Sequence, residues 1–207
     1  MVPDDADERP SLRAEQVAQT RAALVEAGRR LFGQDGFAAT SVEDVARAAR
    51  VTTGALYHHF PTKTALFESV FELLHGELLA DSAAAAATAG AEAGLEQLAR
   101  GSEAFLDAVL RPDVARILVI DAPAVLGLAR FTELDERYAV AATVLVLRAA
   151  AEAGAVEVED PETLARLWMG VLTRGGMLIA ASPDPKTTRD EVARALRAML
   201  AGLASRG

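Results

Sequence analysis

The 207-residue chain contains no cysteine. That single absence removes disulfides, thiolate metal sites and cysteine nucleophiles together. Histidine is also scarce, with only His58, His59 and His75. The first two are adjacent, so on a helix they point in different directions, and no metal or other cofactor is expected. No G-x-S-x-G elbow, P-loop or dinucleotide fingerprint occurs, so an enzymatic reading has no positive support. No apolar run reaches the roughly 20 residues that a membrane-spanning helix needs. The opening residues, MVPDDADER, are acidic where a signal peptide would be basic. The expectation is a cytoplasmic protein with no membrane partner. Basic charge is short as well: the net charge is −9, which taken alone disfavours a nucleic-acid partner.

The distribution of charge reverses that impression. Residues 9–63 hold eight Arg or Lys against five acids, a local balance of +3, whereas residues 1–8 carry −4 and residues 64–207 carry −8. A basic head on an acidic body suits a DNA reader whose other domain does something else. Within the head, residues 40–63 read TSVEDVARAARVTTGALYHHFPTK. Ser41 caps a first helix with Asp44 as its capping-box partner, and Val42, Val45, Ala46 and Ala49 give it one apolar face. After Arg50 and Val51, Thr52 or Thr53 caps a second helix, which Pro61 ends. Two helices joined by a tight turn make a helix-turn-helix, whose second helix enters a DNA major groove. Upstream, a helix is expected over Arg13–Gln34 with an inward stripe of Val17, Thr20, Leu24, Ala27, Leu31 and Phe32. Gly33, Asp35 and Gly36 stop it, and Phe37 joins the same small core.

The run Thr53-Gly54-Ala55-Leu56-Tyr57-His58-His59-Phe60, followed by Pro61, Thr62 and Lys63, closely resembles the recognition helix and fourth-helix start of the TetR family of bacterial transcriptional regulators. Ala27, Leu31, Phe32, Gly36 and Phe37 fall where that family's first helix and turn place small, apolar and glycine residues. The resemblance covers about residues 17–70. One departure stands out: the family's turn usually has glycine before the valine, and here the residue is Arg50, which meets a steric cost at positive φ. The candidate DNA face comprises Thr40, Ser41, Arg50, Thr52, Thr53, Gly54, Ala55, Tyr57, His58, His59 and Lys63. Thr53 offers a hydroxyl to a base or phosphate, Gly54 and Ala55 permit close approach to a thymine methyl, and Tyr57 and His58 reach bases or phosphates. Lys63 is a candidate phosphate clamp at a helix N-terminus. Thr40 and Ser41 can donate to phosphate, although capping alone explains Ser41, and His59 reads as a packed histidine that also touches backbone.

Beyond Lys63 the pattern stays helical. Thr62 caps a helix carrying Leu66, Phe67, Val70, Phe71, Leu74 and Leu78. The alanine-rich run 82–93 reads equally as helix or as a mobile connection. Further helices are expected at Leu95–Leu110, at Val114–Gly127 with a kink at Pro123, and at Phe131–Gly154. Pro161 opens another through Ala180, and Arg189–Leu203 closes the chain. The expected fold class is all-α. Residues 1–12 form a disordered N-terminal arm; Arg9 within it and Arg13 just after it read either as followers of a DNA backbone or minor groove or as a solvated tail. Residues 13–62 form a three-helix helix-turn-helix DNA-binding domain, and residues 63–207 a C-terminal helical effector-binding and dimerisation domain.

In the last two helices Leu164, Leu167, Val171, Val192, Leu196, Met199, Leu200 and Leu203 recur at helical spacing. Periodicity alone does not separate an intrachain core from an interface. The family resemblance implies the latter, a four-helix bundle between two subunits, and hence a homodimer on a palindromic double-stranded DNA operator. It also implies a small-molecule pocket, for which Phe105, Ile117, Asp121, Phe131, Tyr138, Trp168, Met169 and Leu172 are candidates, with Asp121, Tyr138 and Arg174 as polar groups. The apolar ones read first as ordinary core residues, and Asp121 reads also as an ion-pair partner of Arg116 or Arg130. The expected function is a DNA-binding transcriptional regulator, a repressor released from its operator by a small-molecule effector. Two rivals stay open. One is a small-molecule-binding helical protein without specific DNA binding. The other is an all-α enzyme, which requires Asp121, Tyr138 and His75 to converge in one pocket.

Overall fold

The computed structural model describes residues 12–90 and 94–204, and every regular element among them is helical. The expectations for residues 1–11, including an arm with Arg9, and for 91–93 lie outside the described residues. Helix α1 (Leu12–Asp35) lies against α2 (Val42–Ala48), which is joined through a short turn to α3 (Thr53–His59). Three successive hydroxyl caps set the reading frame of this head. Ser41 Oγ accepts from Asp44 N at 3.1 Å, Thr52 Oγ1 from Ala55 N at 3.1 Å, and Thr62 Oγ1 from Ala65 N at 3.0 Å. Their core is Leu24, Phe32, Val42, Val45, Leu56 and Phe60, closed by Leu66 and Phe67 of α4 (Lys63–Ala87). The rings of Phe32, Phe37 and Phe67 form a triangle with centroids 5.3–5.7 Å apart, tying α1, its following turn and α4 together. Val17 was expected inside but is exposed, because α1 overhangs the head in its first two turns.

The body follows α4 with α5 (Leu95–Val109), a single turn α6 (Pro112–Val114) and a π-helical segment π1 (Ala115–Asp121). Next come α7 (Ala122–Asp135), a second π-helical segment π2 (Glu136–Val140) and α8 (Ala141–Glu152). The chain closes with α9 (Pro161–Ala180) and α10 (Pro185–Leu203). Three sequence expectations change. The kink falls at Gly127, with φ 75° and ψ 157°, and not at Pro123, which follows the junction of π1 and α7 without a break in helical backbone. The alanine-rich run continues α4 as far as Ala87. Helix α10 begins at Pro185, four residues early, because Asp184 accepts from Thr187 N at 3.2 Å and Pro185 fits the first turn. Asp160 and Pro161 open α9 in the same way.

Candidate DNA-binding face and interior cavity

Helix α2 ends in a double hydrogen bond, Arg50 N to Arg47 O at 3.1 Å and Val51 N to Ala46 O at 3.0 Å. This pairing is the Schellman ending, and it demands a left-handed residue at Arg50, which has φ 58°. Arg50 is the only non-glycine residue with positive φ among the described residues. Its side chain is exposed beside α3. On α3, Tyr57 is 49% exposed, Thr52, Gly54 and His58 are exposed, and Thr53, Ala55 and His59 are half-buried on the rim. Leu56 is fully buried, which fixes the opposite face of the helix outward.

Two candidates behave differently from expectation. Thr40 is buried, and its hydroxyl donates to Gly36 O at 2.9 Å, so it has no proton left for a phosphate. Lys63 Nζ donates to Phe37 O at 2.8 Å and Thr40 O at 2.9 Å and lies 4.2 Å from the Phe37 ring centroid. Its ammonium therefore staples the turn after α1 to the start of α4. Ser41 Oγ is engaged with Asp44, which accounts for it as a cap.

Inside the body, α4, α5, π1, α7, π2, α8 and α9 line a partly open apolar cavity of about 190 Å³. Of the sequence candidates, Phe105, Phe131, Met169 and Leu172 line it. Ile117, Asp121, Tyr138 and Trp168 do not, each for an identifiable reason. Ile117 is fully buried where α1 meets α6. Asp121 Oδ2 accepts from Phe37 N at 2.8 Å and from Arg116 Nε at 3.3 Å, so it serves the joint between head and body. Tyr138 stands behind His75, ring centroids 5.7 Å apart, and Trp168 Nε1 donates to Ser102 Oγ at 3.0 Å. His75 and Ser102 are the lining residues, so the two large rings form a second layer. Arg174 is exposed on α9. Asp121, Tyr138 and His75 do not converge in the cavity, which removes the geometric basis of the enzyme reading.

The polar groups that sequence reasoning missed here are Asp135, Thr143 and Thr173, with Gln97 and Ser102. Burial pushes the Asp135 carboxyl up to about 6, with Glu136 adding like-charge repulsion. Burial lowers the His75 imidazole to about 4, so it is neutral at physiological pH.

The joint is built from several elements. Arg29 of α1 reaches Glu77 of α4 at 2.8 Å and Asp113 of α6 at 3.3 Å. The Arg116 guanidinium lies against Gly36, where an added Cβ would come within 2.1 Å of Nη2. Gly36 has φ 83° in addition, so its backbone favours glycine, whereas the flexible Arg116 side chain could shift.

Part of the expected stripe on α9 and α10 faces inward. Leu196 and Leu200 are buried, and Leu164, Val171, Val192 and Leu203 pack against the chain's own core. Arg197 pairs with Glu96 and Glu103, and Arg189 with Asp107, which clamps α10 onto α5. The apolar groups left outside are Leu167 (64% exposed), Leu178 (47%) and Met199 (51%). Beside Leu178 a shallow cleft between α9 and α10 is lined by Ala181, Val192 and Ala195.

Two family models match the chain: "Tetracyclin repressor-like, C-terminal domain" over residues 95–203 and "Bacterial regulatory proteins, tetR family" over residues 24–70. The chain is 41% identical over 59 residues to the HTH-type transcriptional regulator AcrR of Shigella flexneri, a match covering 28% of this chain and 27% of that one. It is 43% identical over 65 residues to the HTH-type transcriptional repressor KstR2 of Mycobacterium tuberculosis, covering 31% of each. These matches thus span less than a third of the curated relatives' length. A crystal structure of a TetR-family transcriptional regulator from Pectobacterium atrosepticum superposes with a TM-score of 0.81 at 32% identity, covering 93% of this chain and 97% of that one. Helix-turn-helix head and helical body are therefore both accounted for, and the chain belongs to the TetR family of bacterial transcriptional regulators.

Proposed function

We propose that the protein is a homodimeric repressor that reads a palindromic operator through α3 and leaves it when a small molecule occupies the interior cavity. Residues 13–62 then act as the DNA head and residues 63–207 as the effector and dimer body. One observation carries this reading. Segment π1 contributes Leu118 and Val119 to the cavity wall, while its Arg116 and Asp121 hold the Gly36–Phe37 turn of the head. A ligand that changes the packing of Leu118 and Val119 acts on the same seven residues that fix the head's angle. Such a ligand shifts the equilibrium between head spacings by its differential affinity for them.

On the DNA side, Thr53, Gly54, Ala55, Tyr57 and His58 are the base-reading candidates, and Arg50, Thr52 and His59 flank them as backbone contacts. Lys63 contributes by holding the turn, with one N–H left over for a phosphate. Leu167, Leu178 and Met199 suit the contact between subunits, and the name of the matched KstR2 relative supports repression as the sense of control. The test is selection of genomic fragments by the purified full chain at moderate salt, beside a Tyr57→Ala variant. Tyr57 is half exposed and carries no core packing, so this variant is expected to fold and lose at least tenfold in operator affinity. Enrichment of a palindromic site by wild type alone supports the proposal. No enrichment even at low salt, where phosphate contacts are strongest, favours a ligand-binding protein without specific DNA recognition.

A further inference from the structure

The cavity holds one ionisable group of fixed sign and no charge to match it. Its lining contains no Lys or Arg, so an anionic ligand would meet no counter-charge. Asp135 lines it, and among the described residues the Asp135 carboxylate makes no hydrogen bond or ion pair. The charge that acts on it most is Glu136, which is repulsive. His75 lines the same cavity at 8% exposure, its ring packed on Phe71 at 5.3 Å and Tyr138 at 5.7 Å, with neither nitrogen bonded to the described residues. No buried side-chain nitrogen or oxygen among those residues is both sealed off and unpartnered, so these unbonded polar atoms keep some accessible surface, and both residues line the cavity. Being neutral, His75 does not repel a cation, and it offers an uncharged nitrogen acceptor.

We infer that the cavity accepts a small hydrophobic amine in its protonated form, whose ammonium pairs with Asp135 while its hydrocarbon part packs among Phe71, Phe105 and Phe131. This deepens, and rests on, the reading of the cavity as the effector site. Size fixes the scale of the ligand. A dry cavity of about 150 Å³ holds a benzene ring, so 190 Å³ takes one ring with a short aliphatic arm. Charge fixes its class. A largely buried carboxylate without a partner is poorly solvated, and a cation of suitable shape is the ligand that relieves it. The apolar walls raise the strength of that pairing, because little water competes with it.

The protein supplies its own reporter. Trp168 is the sole tryptophan, and its Nε1 donates to Ser102, a residue of the cavity wall. The experiment titrates the full chain at neutral pH with three probes of one skeleton: 3-phenylpropylamine, 3-phenylpropanol and 3-phenylpropanoate. Trp168 fluorescence and calorimetry give the affinities. The amine is expected to bind at least tenfold more tightly than the alcohol, with the carboxylate weakest. In Asp135→Asn the amine falls to the level of the alcohol, while the alcohol itself binds as before. The wild-type ranking decides the charge class without any variant. Alcohol or carboxylate binding as tightly as the amine overturns the inference and leaves the effector reading standing. An undiminished amine preference in Asp135→Asn overturns the assignment to Asp135. If no probe of any charge binds, the inference and the cavity reading fall together.

Discussion

Asp135 and His75 face one apolar cavity, and the same burial drives them in opposite directions, the carboxyl up to about 6 and the imidazole down to about 4. Their ordinary values are 3.8 and 6.5. Between about pH 4 and 6 the folded chain therefore keeps a proton on Asp135 and none on His75, and the unfolded chain does the reverse. Each state binds one proton, so the pair leaves stability flat across that window. Removing either partner unbalances it. In Asp135→Asn the folded state binds fewer protons than the unfolded one, and stability falls as pH drops from 6.5 to 4. In His75→Gln the folded state binds more, and stability falls as pH rises from 3.8 to 6. Against wild type, the unfolding free energies of the two variants from urea titrations should diverge with opposite slopes of ~1 kcal/mol per pH unit. Parallel curves for all three proteins would refute the pairing of burial and titration. The acids held below their usual range by hydrogen bonds, such as Asp44 and Asp160, titrate lower and are common to all three. His75 could be picked out of the sequence as a lone polar residue in an apolar stripe. Asp135 could not, because it sits in FTELDERYAV among Glu133, Glu136 and Arg137, and π2 resets the helical phase one residue later.

At the scale of elements, the head was readable because each of its devices is local. Caps at Ser41, Thr52 and Thr62 act within three residues, and the turn at Arg50 closes within five. The body was less readable because its decisive contacts join distant segments. Asp121 stands 84 residues from Phe37, whose N–H it receives, and nothing in VARILVIDAPAVLG distinguishes that role from a pocket lining. Nor does a 3.6-residue period anticipate π1, whose wider turns put Leu118 and Val119 on the cavity while Arg116 and Asp121 reach the head. The joint makes its own prediction. Asp121→Ala strips the Phe37 N–H of its acceptor and frees Arg116, at an expected cost of ~1–2 kcal/mol in stability. Native-state hydrogen exchange should then show faster exchange at Phe37 and through the turn to Thr40, with α9 and α10 unchanged. Unaltered protection at Phe37 would mean that the head is held by Arg29 and Lys63 alone.

For the whole molecule, the apolar period of α10 suggested one continuous interface, but that stripe serves two purposes. Leu196 and Leu200 are consumed by the chain's own α5 and α9, and Gly175 lets Val192 approach α9 closely. Only Leu167, Leu178 and Met199 remain largely outside, and Leu178 borders a shallow cleft with Ala181 and Ala195. Substitutions on the two sides of the same helices should therefore part company. Leu196→Ala opens a hole in a sealed core and is expected to cost ~2–4 kcal/mol in unfolding free energy. On the proposed dimer face, Leu178→Glu is expected to leave the fold intact but to set an unpaired charge against the second copy, so sedimentation should report a monomer. A monomer offers one head to a two-half-site operator and forfeits the gain from simultaneous engagement, on the order of 10²-fold or more. Loss of operator affinity in Leu178→Glu with unchanged helicity, and a lowered melting point in Leu196→Ala with dimerisation retained, is the pattern expected of a dimer joined through the outer faces of α9 and α10. A Leu178→Glu protein that still sediments as a dimer would move the contact to another surface, with the exposed Leu128 and Leu145 the next to substitute.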